Sequence, residues 1–318
     1  MDYDKNSFLA GIAVGRQLKG WASGGGGERP IEPVNYDMLK SRIDGTLHLS
    51  VESDCEEVVE SAFYHCGKLP SVSLPNAKKI GASAFDTCAE LTSANMPSVT
   101  EIGSFAFRGC GALTNVQIPI VESIGEGAFS GCGPIGNLRL AELLTIGMDA
   151  FYTAGLTGIY APKATRVLTR SFQKCESLTE VDLPSATSIL GYAFDGCTAL
   201  KTANIPMASG TPVYGFRGCT ALEKVFAQRS TTIGNYGFQG CSSLTAIIIR
   251  DFDSVDLTPP VSIGALAFGG TPMLPQGSGG YFYAPSASIE AFKDITAWKS
   301  YYNAGKFRAI EDYPGVLD

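Results

Sequence analysis

The sequence predicts a repeat solenoid, in which about ten turns of 22 residues stack through short parallel strands. Three regularities predict it: evenly spaced cysteines, a phenylalanine before each of them, and a short alternating run closed by proline. One unit of 22 residues cannot bury its own apolar side chains, so neighbouring units must stack with like residues over like. The fold is therefore expected to be mainly β, with an N-terminal helix and a C-terminal capping helix outside the repeat.

Eight of the nine cysteines define the period. They form two series with a spacing of 22 residues, separated by a gap of 43 residues. The missing member belongs to the turn of Phe151, where Ala154 stands at the cysteine position and the turn is one residue short. A phenylalanine precedes each of the eight by three positions and predicts a second buried row. The eight are Cys66, Cys88, Cys110, Cys132, Cys175, Cys197, Cys219 and Cys241.

Each unit also carries a strand signal. Val72 and Leu74 are apolar and two positions apart, and Ser73 lies between them, which is typical of a strand with one buried face. Pro75 ends the run, because proline cannot continue a hydrogen-bonded ladder. An Ile-Gly pair such as Ile80 and Gly81 opens the next unit.

The complete unit reads Ile-Gly-x-x-Ala-Phe-x-x-Cys-x-x-Leu-x-x-Val-x-Leu-Pro, and over residues 58–285 it resembles the BspA-type leucine-rich repeat of bacterial surface antigens. The resemblance implies a leucine-rich repeat fold and a role in adhesion or recognition, and it brings no catalytic residues. The chain departs from the unit in four places. These are the short turn at Ala154, the starts near Leu168 and Pro212, and an insertion between Arg250 and Ile263.

Residues 1–22 are predicted to be a helical anchoring segment, tethered by the glycine-rich linker 23–28. Its apolar side chains would pack on a carrier assembly or on a second copy, or alternatively on the chain's own repeat. These side chains are Phe8, Leu9, Ile12 and Trp21. The segment is similar to the start of proteins encoded beside phage tail genes of gut bacteria, which implies display on a phage tail. Acidic residues precede its short apolar run, so a cleaved secretory signal is not expected.

The remaining ends are predicted to close the repeat. Residues 29–57 form an N-terminal cap and lead-in, with an opening strand around Leu49. Residues 286–318 form a C-terminal cap, because apolar residues recur at steps of three and four over 286–302 and indicate an amphipathic helix.

Composition excludes several function classes. A net charge of −7 with 24 Lys and Arg argues against nucleic acid as a partner, and no apolar stretch is long enough for a membrane span. The two histidines, His48 and His65, leave almost no material for a nucleophilic triad. The sequence therefore predicts a protein that is not an enzyme and has no cofactor.

The cysteine row has three interpretations. Buried, unreactive core thiols are favoured, because free cysteine is among the most buried residue types. Disulfides would require partner choice along an evenly spaced row, and metal binding would require clustered ligands, so no metal site is predicted.

If the alternating runs bury one face, the residue between the apolar positions of each turn points outward and forms a row. This row is predicted to bind a protein or glycan surface, since it is polar early and apolar or aromatic late. Ordinary surface variation, or cover by the inserted loop, is the alternative. The predicted binding residues are Asn95, Gln117, Arg139, Tyr160, Asp182, Asn204, Phe226, Ile248 and Tyr283.

Together these features predict a non-catalytic recognition or adhesion protein, displayed on a phage tail or similar assembly. It would be virion-associated, or cytoplasmic before release. The alternatives are a secreted or cell-surface bacterial antigen and a purely structural spacer.

Overall fold

The computed structural model describes residues 48–50, 56–227, 232–249, 262–277 and 279–312. The predicted anchoring segment, the linker and most of the lead-in lie outside these residues, as does most of the insertion after Arg250. The chain divides into two compact units, Met1–Leu156 and Thr157–Asp318, and each is a stack of parallel strands.

In the first unit, the turns up to β8 each supply one strand to each of two parallel sheets, and β9 lies outside the first sheet. The first sheet has the order β1-β3-β5-β7, and the unit's part of the second has the order β2-β4-β6-β8-β10. Like residues pair in register, as Val72 with Ala94 and Ala94 with Val116. The strands are β1 (His48–Ser50), β2 (Glu57–Val58), β3 (Ser71–Ser73), β4 (Lys79–Ile80), β5 (Ser93–Asn95), β6 (Glu101–Ile102), β7 (Asn115–Gln117), β8 (Ser123–Ile124), β9 (Gly136–Arg139) and β10 (Thr145–Ile146).

The second unit repeats this pattern, with a long ladder of order β11-β13-β15-β16-β18-β20-β21 and the pairs β12-β14 and β17-β19. Near Pro212 the second sheet is reduced to one bridge between Thr211 and Ile233. The strands are β11 (Leu156–Tyr160), β12 (Arg166–Val167), β13 (Glu180–Asp182), β14 (Ser188–Ile189), β15 (Thr202–Asn204), β16 (Lys224–Phe226), β17 (Thr232–Ile233), β18 (Ala246–Ile248), β19 (Ser262–Ile263), β20 (Tyr281–Ala284) and β21 (Phe307–Ala309). The predicted mainly-β repeat fold is confirmed.

A non-helical corner joins the two sheets within each turn. The N–H groups of Ser83, Phe85 and Thr87 donate to carbonyl groups of the next turn at 2.8, 2.7 and 2.6 Å. The N–H groups between them, from Ala84 and Asp86, donate to carbonyl groups three residues earlier at 3.3 and 3.2 Å. These main-chain donors are therefore satisfied without a helix.

The corner requires two left-handed residues per turn, four positions apart. The first place is held mostly by residues other than glycine, including Phe105 (φ 58°) and Tyr214 (φ 56°). The second is held by glycine in six turns and by other residues in four. Left-handed backbone costs an L-residue about 1–2 kcal/mol, so the stacking of turns must impose it. The second-place residues are His65, Thr87, Gly109, Gly131, Thr153, Lys174, Gly196, Gly218, Gly240 and Gly270.

The glycine of the Ile-Gly pair is required because successive turns approach each other closely at this position, and not because of its backbone conformation. A Cβ atom on Gly103 would lie 2.7 Å from the main-chain nitrogen of Ala82 in the preceding turn. Such a distance is too short for any side chain, so successive turns touch backbone to backbone at this corner.

The phenylalanine row forms a continuous stack in each unit. From Phe63 to Phe151 the ring centroids are 5.0–5.4 Å apart and the rings are within 10° of parallel. From Phe172 to Phe268 the spacing is 5.0–5.6 Å. All these rings except Phe63 are fully buried, which confirms the predicted core row.

The C-terminal segment differs from the single helix predicted over 286–302. It forms α1 (Ser286–Ile289), a 3-10 helix (Glu290–Asp294) and α2 (Lys299–Asn303), because Ile295 is extended with φ −90° and ψ 116°. Its aromatic side chains nevertheless pack on the last turn. The buried Trp298 ring meets the Phe282 ring edge-on, with centroids 4.9 Å apart.

We expect Lys174→Gly to raise the free energy of unfolding by about 1 kcal/mol, because glycine removes the left-handed penalty at φ 59°. The matched substitution Lys201→Gly, at an exposed site without positive φ, should lower it by about 0.5–1 kcal/mol. Urea denaturation of both variants measures the difference. Equal destabilisation would show that the corner does not impose left-handed backbone.

Candidate binding surface

In the first unit, the predicted row is a ladder of neighbouring side chains. Ser73 pairs with Asn95, and Asn95 with Gln117, while the central strand residues Val72 and Ala94 are buried. The Asn95 amide donates to the Ser73 hydroxyl at 3.5 Å. Gln117 and Arg139 are exposed at the ends of β7 and β9.

In the second unit, Tyr160, Asp182, Asn204 and Phe226 end four successive paired strands and are half-buried. The Asn204 amide donates to the Asp182 carboxylate at 2.7 Å. The outward facing inferred from period-two alternation therefore holds for these positions.

The predicted exposure of Ile248 is wrong. Ile248 is fully buried and clusters with Ala246 and Ile310, and Phe226 and Tyr283 pack against the same cluster. Ile310 belongs to the 3-10 helix Ile310–Asp312, so the chain's own C-terminal segment covers this part of the row. The run from Ala246 to Ile249 is apolar at every position, a signal of a strand buried on both faces that alternation alone misses.

A second outward row, two positions before the first, was missed by sequence reasoning. In the first unit, this row and the predicted one together carry serine and carboxamide side chains with one charge, on Arg139. The outward rows of the second unit are more charged. The second row consists of Ser71, Ser93, Asn115 and Asn137 in the first unit, and Glu180, Thr202 and Lys224 in the second.

Within the first unit, the ladder opens between β7 and β9. The first sheet ends at β7, and no hydrogen bond joins β7 to β9 among the described residues. A cleft of about 310 Å³ lies at this opening. Val116 in β7 is half-buried, whereas its equivalents Val72 and Ala94 are buried. The lining residues are Pro97, Val116, Gln117, Ile118, Pro119, Asn137, Leu138, Arg139 and Leu140.

The sequence before β9 explains the opening. A Cβ atom on Gly133 would lie 2.3 Å from the Gly111 carbonyl oxygen, so the two turns are in close contact there. Pro134 then supplies no N–H group. Ile135 donates to Gly133 at 2.8 Å instead of three residues back, and Gly136 is left-handed with φ 75°. These changes redirect β9 away from β7.

The opening is confined to one sheet. On the second sheet, Ser123 in β8 pairs with Thr145 in β10. The rings of Phe107 and Phe129 remain stacked at 5.3 Å, and those of Phe129 and Phe151 at 5.4 Å. The core therefore stays closed behind the cleft.

The eight described cysteines are buried, and none of them forms a disulfide with another described cysteine. In six of them the thiol donates to a phenylalanine carbonyl 25 positions earlier, as Cys110 does to Phe85 at 3.2 Å and Cys132 to Phe107 at 3.0 Å. Burial raises the pKa of Cys66 to about 11 and that of Cys110 to about 12. The row thus consists of buried core thiols, and no three potential ligands cluster for a metal ion in the described part of the chain.

Two buried carboxylates are held by arginine. Asp86 accepts from Arg108, with Nε 3.1 Å from Oδ1, and Asp195 accepts two hydrogen bonds of 2.8 Å from Arg217. Asp195 also accepts from the Gln173 amide at 2.8 Å. Because donors occupy these carboxylates, they serve the packing of adjacent turns rather than acid or base chemistry.

Among the described residues, the stacked tyrosines form the longest row of partly exposed aromatic rings. Tyr192, Tyr214 and Tyr236 stack with centroids 4.7 and 4.8 Å apart, and the Arg217 guanidinium lies 4.7 Å from the Tyr214 ring centroid. The neighbouring rings cover both faces of Tyr214, so its edge and hydroxyl are what remain for a ligand.

The His65 ring is exposed, and its Nδ1 atom lies 2.6 Å from the Thr87 hydroxyl. No described helix is long and apolar enough to cross a membrane.

The family follows from comparison with known proteins. The model described as BspA type Leucine rich repeat region matches six copies, over residues 56–169 and 144–259. The chain therefore belongs to this family. No curated protein matches the chain.

Several solved structures are similar. A leucine rich cell surface protein from Faecalibacterium prausnitzii is 21% identical, with 81% of this chain and 89% of that chain covered and a TM-score of 0.38. A leucine-rich repeat protein from Bacteroides ovatus is 19% identical, with coverages of 84% and 93% and a TM-score of 0.28. The pneumococcal vaccine antigen PcpA is 14% identical, with coverages of 83% and 87% and a TM-score of 0.36.

We expect the eight buried thiols to resist a thiol reagent at pH 8 in the native protein and to react on denaturation, because burial disfavours the thiolate. Stability should also fall as the pH rises above about 9, because the unfolded thiols of Cys66 and Cys110 ionise there, whereas burial raises their pKa and keeps them protonated in the folded protein. Ellman titration and urea denaturation measure the two effects. Rapid native reaction of several thiols, or recovery of disulfides, would contradict this expectation.

Proposed function

We propose that this protein is a non-catalytic recognition or adhesion protein, which binds a protein or glycan surface through its outward strand rows. The observation that carries the proposal is the paired row Ser73, Asn95 and Gln117, with like positions hydrogen-bonded from turn to turn. Each turn adds one outward side chain at a fixed spacing of about 4.8 Å, so weak contacts can sum over several turns.

The polar character of the first unit's rows supports this role. Hydroxyl and carboxamide groups both donate and accept hydrogen bonds, so they match saccharide hydroxyls and protein backbone equally well. In the second unit, Ile310 covers Ile248, so the binding residues proposed there are Tyr160, Asp182 and Asn204. Phe226 and Tyr283 contribute only the edges that remain beside this cluster.

We expect the double substitution Asn95→Ala with Gln117→Ala to weaken ligand binding at least about tenfold, because two hydrogen-bonding groups are lost. Ser123→Ala with Thr145→Ala, on the second sheet, is the matched control and should not alter binding. Ligands are first identified on glycan and extracellular-protein arrays and then titrated by calorimetry. Binding to nothing on either array, with both variants folded, would favour the structural spacer.

The anchoring part of the proposal concerns residues outside those the structure describes. We propose that residues 1–22 attach the repeat to a carrier such as a phage tail, through Phe8, Leu9, Ile12 and Trp21, and that residues 286–318 close the other end. A virion-associated location follows from this arrangement. A secreted or cell-surface antigen of this same family is the competing proposal.

We expect deletion of residues 1–27 to leave the melting temperature nearly unchanged while abolishing assembly with a carrier or with itself. An apolar helix of this length is marginal in water alone and requires a partner. Calorimetry and analytical ultracentrifugation of both forms measure the two effects. A much lower melting temperature, with a monomeric full-length protein, would instead make the segment an intramolecular cap.

A further inference from the structure

We propose that the opening between β7 and β9 is a docking site for an extended peptide strand of another protein, one that carries an apolar side chain next to a carboxylate. The proposal rests on the recognition function above and names the partner class for part of that surface. The strand would pair with the free edge of β7 and place its apolar side chain in the cleft.

The main-chain groups of β7 point to two different edges of the strand. The Asn115 N–H donates to Thr92 at 3.1 Å and the Gln117 carbonyl accepts from Met96 at 2.9 Å, so both residues direct their main-chain groups toward β5. Since these groups alternate along a strand, those of Val116 point to the opposite edge. No β9 partner meets that edge, so β7 offers a donor and an acceptor to an added strand.

The cleft has a size and a lining that suit an apolar side chain. Its volume of about 310 Å³ is at the lower end of the range for ligand sites and suits one or two side chains. The floor is formed by Val116, Ile118, Leu138 and Leu140. Burial of an apolar side chain of the partner against these residues is favourable. Main-chain pairing would supply affinity, and the floor would select an apolar side chain.

The rim of the cleft is complementary in charge to an acidic strand. The rim consists of Gln117, Asn137 and Arg139, and the described lining has no acidic residue. The neighbouring outward residues Ser93, Asn95 and Asn115 are also uncharged. A carboxylate on the bound strand would therefore meet the Arg139 guanidinium and no acidic residue of the cleft lining, which favours an acidic strand over a basic one.

A strand fits this opening better than a saccharide does. Free strand edges normally carry lysine or proline, or are covered, because they otherwise recruit other strands. Val116, at the centre of this edge, is neither charged nor proline, and it lines the cleft together with Pro97 and Pro119.

The experiment uses the full-length protein and capped hexapeptides that alternate valine with glutamate. Comparison probes are the same peptides with alternate amides N-methylated, peptides with lysine in place of glutamate, and a hexasaccharide of N-acetylglucosamine. Binding is titrated by calorimetry, and amide hydrogen exchange is followed by NMR at Val116 and Ile118, with Ala94 and Met96 as ladder-paired references.

We expect the Val116 amide to exchange at least about tenfold faster than the Ala94 amide in the free protein, and to slow at least about tenfold with the glutamate peptide. N-methylation should weaken binding at least about tenfold, as expected for lost main-chain hydrogen bonds. Arg139→Glu should reverse the preference toward the lysine peptide. The matched change Lys224→Glu, in β16 with paired strands on both sides, should leave it unaltered.

Three results would overturn the docking site without touching the recognition proposal: slow exchange of Val116 in the free protein, equal binding of N-methylated peptides, or protection of Val116 by the saccharide. Peptide binding that shifts Asn95 or Asn204 but not Val116 would also place the partner elsewhere on the strand rows. Failure of every array ligand and every peptide would instead remove the recognition function itself.

Discussion

The hydrogen bonding of each turn to the next is the constraint on which the rest of the structure depends. It fixes the separation of equivalent residues near the strand spacing, so a side chain at one position must tolerate a copy of itself about 5 Å away. Phenylalanine meets this condition by stacking, with 5.1 Å between Phe85 and Phe107. Cysteine meets it by being small and by donating to a neighbouring carbonyl, as Cys110 does to Phe85. Gly103 meets it by having no side chain at all.

This constraint also explains how much of the structure the sequence could predict. The stacking of like residues over like determines the period, the core rows and the outward positions. These features could be predicted from the spacing of Cys88 and Cys110 and from the alternation around Ser73. The burial of Ile248 could not be predicted in this way, because it depends on Ile310, which lies 62 positions later in a segment outside the repeat. The broken C-terminal helix was missed because apolar spacing cannot report the extended backbone of Ile295.

The departures from the repeat make individual turns different from one another. A perfect unit would give a featureless ladder, and nothing would distinguish one turn from another as a place to bind. Pro134 and Gly136 break the rule in one turn and open a cleft there, while the phenylalanine stack behind it is kept. The left-handed Lys174 is a departure of another kind, tolerated because the neighbouring turns impose the geometry. Deviations that keep the core and change the surface are where function is to be sought in such a chain.

In a stack of near-identical units, the turns could also align one whole unit out of register. That alternative alignment would preserve almost every main-chain hydrogen bond and most of the ring stacking. The two buried carboxylates distinguish the correct alignment from the shifted one. In the first unit Asp86 has its guanidinium on Arg108, and in the second Asp195 has its own on Arg217, each one turn further along. A slipped pairing would leave a carboxylate buried without its cation, at a cost of several kcal/mol. Each ion pair therefore favours the correct register of the turns, so that a repetitive chain reaches a single alignment.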